Sequence, residues 1–430
     1  MRRSFSVWLL TAALATLALF QDKPWKPLEV FDWDQGGYYA YLPSAFIYHD
    51  LGRADSLQRV AEATVPSHVR NLGLRHLPNG NVISKYPLGV ALGNLPWFAG
   101  AHAYARLHGD PANGFSRPYQ QSIMLAGLVY GLLGLWLVRK LLLRFFDDRT
   151  TAWALAGVGL GTNFFNYTSF ETGLSHAPLF LWQAALLYCT VRWHDTFRPR
   201  WAAGIGLFLG LAVLCRPTEI LYLLVPLAWG ITSGAALRAR GPLLGRHAGQ
   251  LALAAAVGLV VLSPQLLFWH ATSGQWVLYS YGQEHFDFLH PHLLDGLFSF
   301  RKGWLLYTPL AGLMLLGVGA ARRWVPGAVA PVLALLPVLL YVTFSWGEWA
   351  YGGSFSARPL VSVYPLLALP LAALLAQTQP AGRWRLLARV AVVLCIVLNL
   401  WQTWQYAAGI IRYDNNTAEL YRRNFFHTSL

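Results

Sequence analysis

The chain has 430 residues, of which 55% are hydrophobic and 12% charged, where soluble domains carry about 25% charged residues. That balance excludes an ordinary soluble globular protein, and the 14% of aromatic residues is what a polytopic membrane protein uses at its interfaces. The net charge of +14 belongs to loop arginines and lysines on a cytoplasmic face and implies no nucleic acid, while Cys189, Cys215 and Cys395 fall in apolar segments with no disulfide framework.

Met1-Arg2-Arg3 and the apolar run to Phe20 fit the first two regions of a signal peptide. No small-x-small cleavage site precedes Gln21, so residues 1–20 are read as a retained first span. It lies at the short end of the spanning range.

Residues 21–118 form the one long early polar excursion. They open with Phe31-Asp32-Trp33-Asp34-Gln35-Gly36-Gly37-Tyr38-Tyr39. Asp34 stands where a short juxtamembrane helix begins, and an aspartate there serves either as an N-cap or as a catalytic carboxylate beside the membrane. Asp32 is the second candidate, and Tyr38 and Tyr39 are candidate substrate contacts. Further along, Lys85 in Ser84-Lys85-Tyr86-Pro87-Leu88-Gly89 either snorkels to the surface or holds a phosphate as a point charge. Arg70, Arg75 and His76 add positive charge to the same loop. Residues 86–107 are apolar enough to span, but one crossing would place every later basic loop outside. They are read as a juxtamembrane or re-entrant helix, with a hairpin preserving the same topology.

From 119 to 404 hydropathy marks ten further spans, near 119–138, 150–168, 175–192, 201–216, 218–234, 249–271, 303–319, 325–344, 358–376 and 385–404. Alternate turns carry basic clusters: Arg139 to Arg149, Arg192 to Arg200, Arg238 to Arg246, Arg322-Arg323, and Arg383 to Arg389. These turns are cytoplasmic by the positive-inside rule, as is the N-terminus. The outer face receives residues 21–118, 169–174, 272–302, 345–357 and the tail 405–430. Of the 19 acidic residues, 16 then lie outside or at the outer ends of spans and only Asp147, Asp148 and Asp195 inside.

The outer loops carry the remaining candidates. Glu171 and His176 share a short turn, where a lone histidine serves structure as readily as substrate. Arg216-Pro217-Thr218-Glu219 reads as a local ion pair at a helix break. Residues 272–302 supply Arg301, and their histidines, His285, His290 and His292, match no metal spacing. Residues 345–357 supply Glu348 and Trp349, followed by Arg358; tryptophan beside a carboxylate suits carbohydrate as well as an interfacial belt. No Walker loop, G-x-S-x-G, H-E-x-x-H or dinucleotide fingerprint is present. Without a nucleotide site, an activated donor arrives from the bilayer.

The order of these features resembles the GT-C superfamily of membrane glycosyltransferases, in particular the protein O-mannosyltransferase and aminoarabinose transferase type. They are the short first span, the acidic first outer loop, Lys85-Tyr86-Pro87-Leu88-Gly89, the Arg-Pro turn and the late aromatic Gly-Gly-Ser loop. The resemblance implies an all-α polytopic bundle of about eleven transmembrane helices, in a bacterial inner membrane. It implies a polyprenyl-phosphate-linked sugar donor and an acceptor that is a lipid, a glycan or a protein. Asp34 takes the place of the family's catalytic aspartate, although Gln35 stands where a second acid is common. Lys85 takes that of the basic residue meeting the donor phosphate; Arg358 and Arg301 match no motif of the family and are candidates to join it on their charge alone. No cofactor is expected; some relatives use a divalent ion and others do not. Such an enzyme calls for one outward pocket lined by Asp34. The rival readings, a flippase of a lipid-linked saccharide and an inactive scaffold, call for a path to both sides and for no activity, respectively.

Overall fold

A chain poor in charge has no water to satisfy its backbone within a bilayer, so its segments close their hydrogen bonds internally as helices. A computed structural model describes residues 2–21, 30–31, 33–65, 72–379 and 382–429. The helices that matter below are α1 (Arg2–Gln21), α2 (Trp33–Tyr39), α3 (Gly89–His108), α4 (Arg117–Leu142), α5 (Asp148–Leu160), α6 (Phe164–Ser169), α7 (His176–Thr196), α8 (Pro199–Cys215), α9 (Ala248–Ser273), α10 (Leu310–Trp324), α11 (Val329–Phe344), α12 (Tyr364–Thr378), α13 (Gly382–Ala407) and α14 (Ala418–Asn424). Six helices among the described residues are long and apolar enough to cross a membrane: α1, α4, α9, α13, and α11 and α12 with their 3-10 lead-ins from Pro326 and Arg358.

Several expected spans are shorter or broken. The segment 150–168 divides into α5 and α6 around Gly161. The segment 218–234 is a 3-10 turn from Pro217 followed by a helix ending at Ala228. The segment 303–319 is interrupted at Thr308-Pro309 before α10. Proline lacks the N–H that would continue a helical ladder, which explains the last two breaks. Residues 86–107 hold one unbroken helix, α3, running through Pro96 and packed on α4. The hairpin alternative therefore does not hold.

One helix sits at the centre. Every residue from Val361 to Ala373 is buried, and α12 packs on α5, α7 and α10. At the periphery α9 exposes Leu259, Val260 and Leu267, and α13 exposes Leu394 and Val397, apolar faces suited to lipid.

The helical reading missed a small hairpin in the first loop. Strands β1 (Leu74–His76) and β2 (Val82–Ser84) pair antiparallel, with Arg75 opposite Ile83. Pro78-Asn79-Gly80-Asn81 closes it, with Gly80 at φ 83, a left-handed conformation glycine adopts without a Cβ clash. The hairpin positions α2: the Ser84 hydroxyl donates to the Gly37 carbonyl at 2.8 Å. Gly37 lies so close to the Tyr86 ring that a Cβ there would collide with it.

The basic turns gather at one end of the bundle. There Asp148 accepts from the Arg3 amide at 2.9 Å, joining α1 to α5, and Arg144 pairs with Asp195. The other end carries α2, the hairpin, the turn between α6 and α7, the loops before α10 and α12, and the segment after α13.

Candidate active site

Asp34 lies in the first turn of α2, directly after Trp33, whose φ of 44 is rare for a residue with a large side chain. Its carboxylate faces tertiary partners. Oδ2 lies 2.7 Å from Arg358 Nη2, and Oδ1 accepts from the Tyr86 hydroxyl. The two side chains of the ion pair are 22% and 13% exposed, so the pair is neither a screened surface contact nor sealed in the core. Burial pushes the Asp34 carboxyl up, but Arg358 and the Tyr86 hydroxyl bond outweigh it and hold it below the ordinary 3.8.

Arg358 is presented by a tight turn. Its N–H donates to the Ser356 carbonyl at 2.9 Å across Ala357, whose φ of −74 and ψ of 79 make an inverse γ-turn. Tyr351, Gly352 and Ser356 in the same loop all hold positive φ. The loop is anchored through Phe355, whose N–H and C=O both bond the Tyr167 hydroxyl at 2.9 Å.

Two further cations border this pair. Lys85 follows β2, its ammonium bonded to Glu284 and lying 5.7 Å and 5.2 Å from the centres of the Tyr86 and Tyr281 rings, a cation–π arrangement. Arg216, at the end of α8, reaches Ser175 Oγ at 3.4 Å and Glu219 at 3.8 Å. Glu219 is held more tightly by Gln183, at 2.7 Å. The local ion pair expected of Arg216 is thus a long contact, and its guanidinium turns to the Ser175 hydroxyl that also receives Tyr38, at 3.4 Å. Tyr38 is buried, its ring 4.8 Å from that of Tyr86. Burial and the nearby Asp34 charge push the Tyr38 hydroxyl up to about 12.

Glu171 forms a second cluster. Helix α4 admits the α6–α7 turn because Gly127 leaves no room for a Cβ against the Thr172 carbonyl. Glu171 Oε2 accepts from Asn166 at 2.7 Å and Oε1 from the Tyr406 hydroxyl at 3.1 Å. Burial drives its carboxyl above the ordinary value, against the opposing pull of Arg358 and of these two bonds. A cavity of about 680 Å³ opens here, lined by Glu171 and Phe170 and by the segment from Tyr406 to Asn415. Asp34 is not in its lining. The Asp34 carboxylate is instead engaged by Arg358 and Tyr86.

The other candidates divide by environment. His176 is buried at the start of α7, its ring 4.6 Å from Tyr167. Tyr39 turns away from the site, stacked on Phe31 at 4.0 Å with its hydroxyl bonded to the Gly114 carbonyl; its role is packing. Arg301 binds Asp414 through two bonds of 2.9 and 3.1 Å and lies 5.5 Å from the centre of the Trp349 ring. Glu348 is exposed beside them. Asp32 and Arg70 lie outside the described residues. Among the described residues no three His, Cys, Asp or Glu side chains are grouped to hold a metal; His290 and His292 pair with Asp287 and Asp295.

The sequence reading takes Tyr86, Arg216 and Lys302 only as members of their outer loops and misses Tyr406 and Asp414. Lys302 is buried and donates to the Ser354 and Tyr413 carbonyls, and its burial lowers the ammonium to about 7. Two signals were available: the adjacency of Tyr86 to Lys85, and the Tyr413-Asp414-Asn415-Asn416 run just after an apolar span.

Residues 115–269 match the dolichyl-phosphate-mannose-protein mannosyltransferase family. No curated protein matches the chain by sequence. In structure it is similar to ArnT from Cupriavidus metallidurans in the apo state, with TM-score 0.57, 15% identity, and 93% of this chain and 75% of that one covered. It is similar to the same protein bound to undecaprenyl phosphate, with TM-score 0.55, 15% identity, and 94% and 72% covered. It is also similar to the apo oligosaccharyltransferase of Archaeoglobus fulgidus, with TM-score 0.53, 12% identity and 97% of this chain covered. The chain spans 57% of the length of that archaeal protein.

Proposed function

We propose that this chain, which has the GT-C fold of membrane glycosyltransferases, transfers a sugar from a polyprenyl-phosphate donor to an acceptor on the periplasmic side of a bacterial inner membrane. The observation that carries the reading is the pairing of Asp34 with Arg358, 324 positions later (358 − 34), with Lys85 and Arg216 beside it. Three cations thus gather at the end of an apolar bundle, each beside a carboxylate: Arg358 with Asp34, Lys85 with Glu284 and Arg216 with Glu219. Orientation follows from the basic turns at the opposite end, which belong in the cytoplasm.

The chemistry is a single displacement. The donor phosphate is the stronger claimant on Arg358, because a guanidinium binds phosphate through a fork of charge-assisted bonds. Once Arg358 turns to the phosphate, Asp34 loses its main counter-charge, and its carboxyl becomes a stronger base. The acceptor hydroxyl then attacks the anomeric carbon and its proton passes to Asp34. The bond from the anomeric carbon to the phosphate oxygen breaks, and polyprenyl phosphate leaves with the electron pair. Lys85, Arg358 and Arg216 stabilise the departing charge, which needs no protonation. Direct attack inverts the anomeric centre. Tyr38 and His176 border the reacting groups, and Arg301, Glu348 and Trp349 form an outer rim that meets substrate. No resident metal enters the scheme.

The test is transfer from a radiolabelled polyprenyl-phosphate sugar by purified protein. Asp34→Asn lowers transfer by about 10²–10⁴-fold while expression and membrane insertion stay normal. Near-full activity in both Asp34→Asn and Asp32→Asn would remove the carboxylate base from the mechanism.

A further inference from the structure

The donor chemistry leaves the cavity beside Glu171 without a role. Its volume of about 680 Å³ lies within the about 300–1,000 Å³ typical of small-molecule sites. We propose that it is the acceptor site and that the acceptor is a neutral or anionic saccharide; this rests on the glycosyl-transfer reading above.

Position comes first. The Tyr406 ring in the cavity wall lies 5.5 Å from Phe355, three residues before Arg358. Glu171 and Asp34 both lie in the field of Arg358. The inner end of the cavity therefore adjoins the ion pair that holds the base.

The lining then selects the class. Phe170, Tyr406 and Tyr413 supply aromatic faces, apolar surfaces that carry a polar handle in the tyrosines. Asn415 and Glu171 supply hydroxyl partners. A pyranose, apolar on its faces and polar round its edge, fits that mixture. Charge argues against a cationic acceptor. Within the lining Arg412 is the one cation, Asp414 is already engaged by both arms of Arg301, and Glu171 is already held by Asn166 and Tyr406. A peptide would look for free backbone partners. Here the Tyr413 carbonyl already takes bonds from the Ser354 amide and Lys302, and the Ser354 carbonyl another from Lys302. The rim residues Arg412, Tyr413 and Asn415 are exposed, so the saccharide enters from water, free or as a lipid headgroup.

The experiment uses the full chain in nanodiscs. Its probes are an array of neutral and uronic-acid oligosaccharides, the same glycans on lipid anchors, and serine- and lysine-rich peptides. Undecaprenyl phosphate binding is followed separately by tryptophan fluorescence. Wild-type protein is expected to retain saccharides and not peptides. Tyr413→Ala, at an exposed position, weakens all saccharide binding at least tenfold. Arg412→Gln weakens only the uronic-acid probes. Undecaprenyl phosphate binding is unchanged in both. Preference for anchored over free glycans identifies a lipid headgroup as the source, and equal binding a free glycan; either supports the proposal. Retention of peptides alone, saccharide binding untouched by both variants, or no saccharide binding by protein that still binds undecaprenyl phosphate would each overturn it while leaving the donor reading in place. Loss of undecaprenyl phosphate binding in wild-type protein would overturn both.

Discussion

The two ends of the bundle use the same residue types for opposite purposes. At the basic end Asp147 and Asp148 serve the backbone. Asp147 caps α5, accepting from the Arg149 and Thr150 amides, both at 2.8 Å, and Asp148 accepts from the Arg3 and Ser4 amides of α1. These bonds satisfy orphan donors at helix starts. At the other end three carboxylates face side chains from remote segments: Asp34 with Arg358 and Tyr86, Glu171 with Tyr406, Asp414 with Arg301. A capping aspartate is spent on the fold. A carboxylate held by a guanidinium can be released when another anion claims that guanidinium, which makes it available for chemistry.

Substitutions at the two ends should separate accordingly. Asp34→Asn is expected to lower the turnover number by about 10²–10⁴-fold, the usual worth of a general base. Asp148→Asn should leave activity per folded molecule unchanged in the same radiolabel assay. Next comes Arg358→Gln, with an expected loss of about 10²-fold in turnover, comparable to removing one donor to a developing charge. It also moves the acid limb of the pH–rate profile upward, because Arg358 is the largest influence lowering the Asp34 carboxyl.

Stability against pH distinguishes the two carboxylates further. The Asp34 carboxyl is depressed from 3.8. Its contribution is therefore present above about pH 4 and lost as pH falls through its folded value. Glu171 is raised from 4.5, so its contribution is full below that pH and lost as pH rises through its folded value. Melting curves in detergent should show Asp34→Asn flattening the acid fall and Glu171→Gln flattening the loss on the alkaline side of 4.5. Smaller effects belong to the basic end. Asp147→Ala costs about 1 kcal/mol of stability through the lost cap with activity retained. Arg144→Ala, breaking a largely exposed pair, costs about 0–1 kcal/mol and is the smallest change, readable by the same melting curves.

Much of this was legible in the chain. Hydropathy located the apolar segments, since a segment without internal charge must be buried or lipid-facing, but not the breaks within 150–168, 218–234 and 303–319; Arg2 with the basic turns marked one end. Asp34, Lys85 and Arg358 were chosen as charged groups that an apolar chain places at the mouths of its spans. The errors share a cause. Tyr39 looks like Tyr38 in sequence, yet one residue's rotation along α2 sends it into Phe31 instead of toward Ser175. Arg216 does pair with Glu219, three positions away, at 3.8 Å, but nothing local showed that Gln183 from another helix also claims that glutamate. The hairpin at 74–84 is too short for a periodicity to register.

The sequence by itself determined the class of the molecule, its helical segments, the end that carries positive charge and the set of residues able to do chemistry. Those properties follow from transfer free energies and backbone hydrogen bonding, which act locally. Only the tertiary structure decided the partnerships: Asp34 with Arg358, Glu171 with Tyr406, Arg301 with Asp414, and the hollow the last two border. Such contacts join segments hundreds of positions apart, and a carboxylate carries no local mark of which distant cation its helix will be packed against.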